Sequence, residues 1–156
     1  MTHPAVERVE TSLREAGWSG EVRWLDDSAP TAAHAAEALG IEIGAIANSL
    51  VFTLDGIPLL VMTSGAHRVD TAWLGDQLGG SITRADADLV KQATGQVIGG
   101  VAPIGHPRPL RTIVDTQLAA FPQVWAAAGH PNTVFPLTFD ELVRITRGEP
   151  RAVEGG

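Results

Sequence analysis

The chain has 156 residues, 44% hydrophobic and 19% charged, a size and balance that suit one globular domain over residues 1–156. It holds no cysteine, which excludes a disulfide framework, a thiolate nucleophile and cysteine-ligated zinc. The formal net charge is −7 and every basic residue but Lys91 is arginine, so the chain has little non-specific attraction for DNA or a long RNA duplex. An RNA partner would be read at one end; the plainer alternative is a metabolic protein that never meets nucleic acid.

Val6, Val9, Leu13 and Ala16 recur at spacings of three and four, which predicts a first helix ended by Gly17. A short strand is expected over 22–25 and a turn over 26–30. Thr31 is placed to cap an alanine-rich helix that stops at Gly40. Residues 47–54 and 57–63 are β-rich runs joined by Asp55-Gly56, a strong hairpin signal. Both runs are nearly all apolar, so both strands are expected to be covered on two faces.

Asp70 and Asp86 can each cap a helix, the first ending near Gly79-Gly80 and the second at Gly95, with a short strand over 81–84 between them and Leu89 and Val90 facing inward. From Gly95 to Pro109 the chain is rich in glycine and proline. Strands are expected over 111–114, 123–128 and 133–137, the last two turned at Gly129-His130-Pro131-Asn132. Thr138-Phe139-Asp140-Glu141 has the spacing of a capping box and opens a last helix closed by Gly148, followed by a short polar tail. Interleaved helices with hairpin-paired strands predict an α+β (mixed α/β) fold, a mixed and largely antiparallel barrel-like sheet with flanking helices. No stretch reaches the roughly 18 apolar residues that cross a bilayer, and Met1-Thr2-His3-Pro4 lacks a secretory pattern, so a cytoplasmic location with no membrane partner is expected.

The loop Gly99-Gly100-Val101-Ala102-Pro103-Ile104-Gly105 is the main candidate for chemistry. Glycine lets backbone approach a ligand closely and proline stiffens the residues after it. Such a loop can aim N–H groups at a carbonyl oxygen that gains charge during ester hydrolysis; otherwise it is a plain turn between strands. Ser49, Ser64 and Ser81 sit in no nucleophile elbow. His3, His34, His67, His106 and His130 show no metal-ligand spacing, and the loop histidines read most simply as solvated. No metal or other cofactor is expected.

Four stretches together resemble the YbaK/ProX family, which includes the editing domain inserted in some prolyl-tRNA synthetases. They are Thr31-Ala32-Ala33-His34-Ala35-Ala36-Glu37-Ala38-Leu39-Gly40, Ile46-Ala47-Asn48-Ser49-Leu50-Val51-Phe52, the loop Ala93-Thr94-Gly95-Gln96-Val97-Ile98-Gly99-Gly100-Val101-Ala102-Pro103-Ile104-Gly105, and Ala128-Gly129-His130-Pro131. Their order covers roughly residues 25–147. The resemblance implies an aminoacyl-tRNA deacylase that removes a mischarged small amino acid from the 3′ end of a tRNA, an aminoacyl-adenosine, with an aminoacyl-tRNA synthetase as a further partner.

The resemblance also implies site roles. Asn48, Gly100 and Val101 would carry catalysis. Trp24, Ser49, Gly99, Ala102, Pro103, Gly105, Ala128, Gly129 and His130 would bind substrate. Asn48 stands where the family usually has lysine, and Lys91, the chain's one lysine, falls on a helix expected to be exposed. Asn48 can donate a hydrogen bond to a carbonyl or ribose hydroxyl but brings no charge; it reads equally as a strand residue satisfied by backbone. Trp24 either shapes the amino-acid pocket or packs in the core, and Asp115 either orients the site or caps the segment after it. The missing lysine keeps two other readings open: a binding module of the same fold without catalysis, and a hydrolase for another small ester or amide.

Overall fold

The computed structural model describes residues 3–26 and 31–155. Helix α1 (Pro4–Glu15) begins on a proline, which suits a first turn whose N–H groups have no helical partner, and buries Val6, Val9 and Leu13 on one stripe. Strand β1 (Arg23–Trp24) is followed by α2 (Ala32–Leu39), where the Thr31 hydroxyl accepts from the His34 N–H and Gly40 closes the helix in a left-handed conformation. Apart from Asp26, the turn expected over 26–30 lies outside the described residues.

Strands β2 (Ala47–Leu54) and β3 (Ile57–Ser64) form the expected hairpin. Asp55 and Gly56 both take positive φ, 50° and 84°, as a two-residue hairpin turn matched to strand twist requires. Helices α3 (Thr71–Leu78) and α4 (Ala87–Thr94) are capped by Asp70 and Asp86 and flank β4 (Ile82–Arg84). On α4, Val90 is buried and Leu89 only half-buried. Strand β5 (Arg111–Asp115) leads to a 3-10 turn, and β6 (Val124–Ala126) pairs with β7 (Thr133–Leu137). The capping box at Thr138 and Glu141 is formed and opens α5 (Phe139–Thr146), which Arg147, in a left-handed conformation, closes one residue before the expected glycine.

With a last strand, β8 (Glu149–Arg151), the strands make two sheets, ordered β4-β2-β3-β5-β8 and β1-β7-β6, with antiparallel pairs throughout except the parallel β3–β5 and β5–β8. A lone bridge between Ile46 and Trp125 links them, so the barrel suggested by the sequence does not close. Side chains alternate across the larger sheet as the strand period dictates. Leu60, Met62 and Val114 join α1, α5 and the small sheet in one apolar cluster, while Leu59, Val61 and Ile113 pack with Leu74 of α3 and Val153 in another.

Two expectations need correction. Strand β3 is buried over its last six residues, but Asn48, Ser49 and Leu50 of β2 are only half-buried. The partner β4 reaches only Phe52–Leu54 and the bridge to Trp125 only Ile46, so the stretch between has no strand on its outer side. The polar tail is also not a tail. Strand β8 (Glu149–Arg151) pairs in parallel with β5, and Glu149 accepts two hydrogen bonds from Arg111 at 2.7 and 3.1 Å. A proline between two charged residues hides a strand from sequence pattern, although an edge tolerates all three. Val153, 1% exposed, anchors the end of the chain. Val153→Ala should therefore lower unfolding free energy by about 2 kcal/mol in urea titrations; a change within experimental error would mean that the end of the chain does not dock.

Candidate functional site

The uncovered stretch of β2 borders a cavity of about 310 Å³. Its walls are α2 through Thr31, Ala32 and Ala35, the glycine loop through Ile98, Gly99 and Val101, and the small sheet through Trp125, Ala126, Thr133 and Val134; Val90 and Arg84 complete it. The lining is mostly apolar and small, with a few polar groups, the usual character of a small-molecule site, and the volume sits at the low end of that class.

Of the residues singled out from sequence, Asn48, Ser49, Gly99 and Val101 line this cavity together. The Asn48 side-chain amide makes no hydrogen bond to another described residue, so it is available to a ligand. Its cross-strand partner Thr63 donates to Asp115 Oδ2 at 3.3 Å. Asp115 is fully buried and caps the segment after it, one of the two roles expected of it. Oδ1 caps the following 3-10 turn by accepting from the Gln117 N–H, and Oδ2 also accepts from the Ser64 N–H at 2.9 Å and meets His67 Nδ1 at 2.9 Å. It thus braces the strand ends beside Asn48. The Ser49 hydroxyl points at Met62 Sδ, 3.2 Å away, and has no base beside it.

The glycine loop is held from within. Gln96, 1% exposed, accepts the Ala102 N–H at 2.6 Å and donates from Nε2 to the carbonyls of Ile104 and Gly105 at 3.2 and 3.4 Å. His106 Nε2 donates back to the Ala102 carbonyl at 2.9 Å. Burial lowers the His106 pKa from its ordinary value, although that hydrogen bond opposes the shift. Sequence pattern assigns this clamping role to neither Gln96 nor His106. A buried polar side chain inside a loop can be inferred only once the loop's backbone groups are seen to need partners.

Inside this frame the N–H groups divide. Gly100 donates to the Val97 carbonyl at 2.9 Å and Ala102 donates to Gln96, so neither is free. The N–H groups of Gly99 and Val101 meet no acceptor among the described residues, and both residues line the cavity. The N–H of Gly100, expected to face a substrate, is thus engaged within the loop. Gly100 has a packing role instead: a Cβ there would lie 2.6 Å from the His130 carbonyl carbon and 2.7 Å from the Pro131 nitrogen. Ala102, Pro103, Ala128 and Gly129 are buried behind the wall, and Gly105 sits against Val9 of α1. None of these five lines the cavity.

Trp24 is neither core nor pocket wall. It is 45% exposed and its ring lies 5.2 Å from that of His130, which in turn meets His3 edge-on at 4.9 Å. His130 accepts the Asn132 N–H at Nδ1, and burial, with the nearby His3, lowers its pKa. His67, His106 and His130 are therefore built into contacts rather than merely solvated. The tryptophan on the wall is Trp125, which sequence pattern does not mark because it lies in a three-residue strand. Among the described residues no group of three or more histidines and carboxylates is placed to hold a metal, and no helix is long and apolar enough to cross a membrane.

Gln96→Leu tests the internal clamp. It leaves the buried Ala102 N–H without an acceptor, so unfolding free energy should fall by about 1–3 kcal/mol and the Ala102 amide should exchange with solvent faster. Unaltered exchange at Ala102 would show that the loop is shaped by something else.

The sequence profile of the aminoacyl-tRNA editing domain matches residues 26–145. A Bacillus subtilis (strain 168) protein, YwhH, is 28% identical over 139 residues, which is 88% of each chain. The proline–tRNA ligase of Bacillus licheniformis is 28% identical over 93% of this chain, which spans 28% of the ligase. A crystal structure presented as a candidate trans-editing enzyme for prolyl-tRNA synthetase superposes with a TM-score of 0.93, at 36% identity, over the whole of both chains. The chain belongs to the aminoacyl-tRNA editing domain family.

Proposed function

We propose that the protein hydrolyses the ester between a small uncharged amino acid and the 3′ end of a tRNA, acting in trans on a mischarged product. The observation that carries this reading is the meeting, on one small cavity, of Asn48, Gly99 and Val101, whose side-chain amide and N–H groups have no partner among the described residues. The aminoacyl carbonyl would lie between them. Water attacks the carbonyl carbon, and charge builds on its oxygen, where fixed N–H donors stabilise it. The ester C–O bond then breaks and the ribose oxygen takes up a proton. A neighbouring ribose hydroxyl of the substrate can relay that proton, so the scheme needs no strong base from the protein. Small apolar walls (Ala32, Ala35, Ala47 and Ala126) suit a short side chain. The substrate's partner enzyme would be an aminoacyl-tRNA synthetase whose errors this protein corrects.

A second reading has its own support. The family position for lysine holds Asn48, and Lys91 is exposed on α4, away from the cavity lining. A neutral hydrogen bond contributes about 0.5–1.5 kcal/mol net where a charged one contributes about 1.5–3. A pocket so weakened could hold an aminoacyl group without cleaving it. The deciding assay mixes purified protein with tRNAs carrying alanine, serine, threonine and other small residues. Hydrolysis of one or a few is expected, and Asn48→Lys should raise that rate about ten-fold. No hydrolysis by folded protein would favour the binding module. Gly100→Ala is a poor control for this assay, since its Cβ collides with the His130–Pro131 backbone and would displace the whole loop.

A further inference from the structure

Arg84 is the one charged residue among the described residues that line the cavity. It ends β4, where it pairs with Phe52, and the next residue donates its N–H to the Val51 carbonyl at 3.3 Å, so its backbone is fixed against the open edge of β2. Its side chain is exposed, and no carboxylate among the described residues lies within ion-pair distance of it. The nearby carboxylate in sequence, Asp86, is engaged by the Leu89 N–H as the cap of α4. In a protein of net charge −7, a guanidinium that no described residue pairs, on a cavity wall where the other described residues are uncharged, points to an anionic group on the ligand.

The chemistry of an aminoacyl ester says which anion. Esterification consumes the amino acid's carboxylate and leaves a positive α-ammonium, which an arginine repels. The nearest negative charge of such a ligand is the phosphodiester on the 5′ side of the terminal nucleoside. A free amino acid, by contrast, would offer its carboxylate. We propose that Arg84 is a phosphate anchor, holding the phosphodiester that leads into the terminal adenosine while the aminoacyl group occupies the cavity. This rests on the editing reading and adds to it the contact by which a strongly acidic protein holds an RNA end.

The test separates the two. The probes are 3′-deoxy-3′-(alanylamino)adenosine, whose amide resists hydrolysis, with and without a 5′-phosphate, and free alanine, each titrated calorimetrically. The 5′-phosphate should tighten binding to the wild-type protein about ten-fold, less at high salt. Arg84→Gln should abolish that gain and bring the two analogues to one affinity, and Arg84→Lys should restore part of it. A phosphate that adds nothing, or a gain that survives Arg84→Gln, overturns the proposal while leaving the editing reading intact. Alanine binding that depends on Arg84 also overturns it, by assigning the arginine to a carboxylate. If neither analogue binds, the editing reading itself fails and the anchor with it.

Discussion

The Gln96 side chain determines what the site can be. A loop with no regular structure exposes backbone groups that must find partners, and burying it without them costs about 1–3 kcal/mol for each. Gln96 provides both a donor pair and an acceptor from one amide, and His106 closes the far side. Gly100 donates inward to Val97, while the N–H groups of Gly99 and Val101, two residues of the cavity wall, meet no acceptor among the described residues. A loop held from within keeps its shape before any ligand arrives, and electrostatic stabilisation of a developing charge requires such fixed geometry.

The opposite wall depends on an incomplete sheet. A strand paired along both edges has no backbone to offer, but β2 is bordered on its outer side only at its two ends. The gap becomes a cavity because α2 and the small sheet stand off from it instead of filling it. Asp115 keeps this open edge from loosening. From inside the sheet it holds the Thr63 hydroxyl and the Ser64 N–H, one strand over from Asn48, and its contact with His67 continues to Glu154, 3.6 Å from His67 Nε2. The end of the chain, which reads as a polar tail in the sequence, thus reaches the support of the site.

Much of this was legible in the residues. The helix caps Thr31, Asp70, Asp86 and Thr138 and the Asp55-Gly56 hairpin are local signals, each decided by a side chain and its own backbone. The four family segments located the glycine loop and the β2 strand, and those two elements do share the cavity. What escaped was non-local. Strand β8 exists because β5 offers an edge and Arg111 a partner, neither visible in Glu149-Pro150-Arg151 itself. Which N–H of the loop is free depends on Gln96 and Val97, and whether Trp24 is core or surface depends on where β1 sits at the edge of the small sheet. Arg84 looks like any surface arginine until β4 places it on the cavity wall.

Among the described residues, Asn48 and Arg84 give the cavity wall one uncharged amide and one cation. The central claim is that Gly99 and Val101 present free N–H groups to an aminoacyl carbonyl. The most direct measurement is an amide-resolved NMR titration of the labelled protein with the non-hydrolysable alanylamino adenosine. The amide signals of Gly99 and Val101 should shift as new hydrogen bonds form, while those of Gly100 and Ala102, already bonded within the loop, should move little. Saturable binding that leaves Gly99 and Val101 unmoved would contradict the account and place the carbonyl elsewhere.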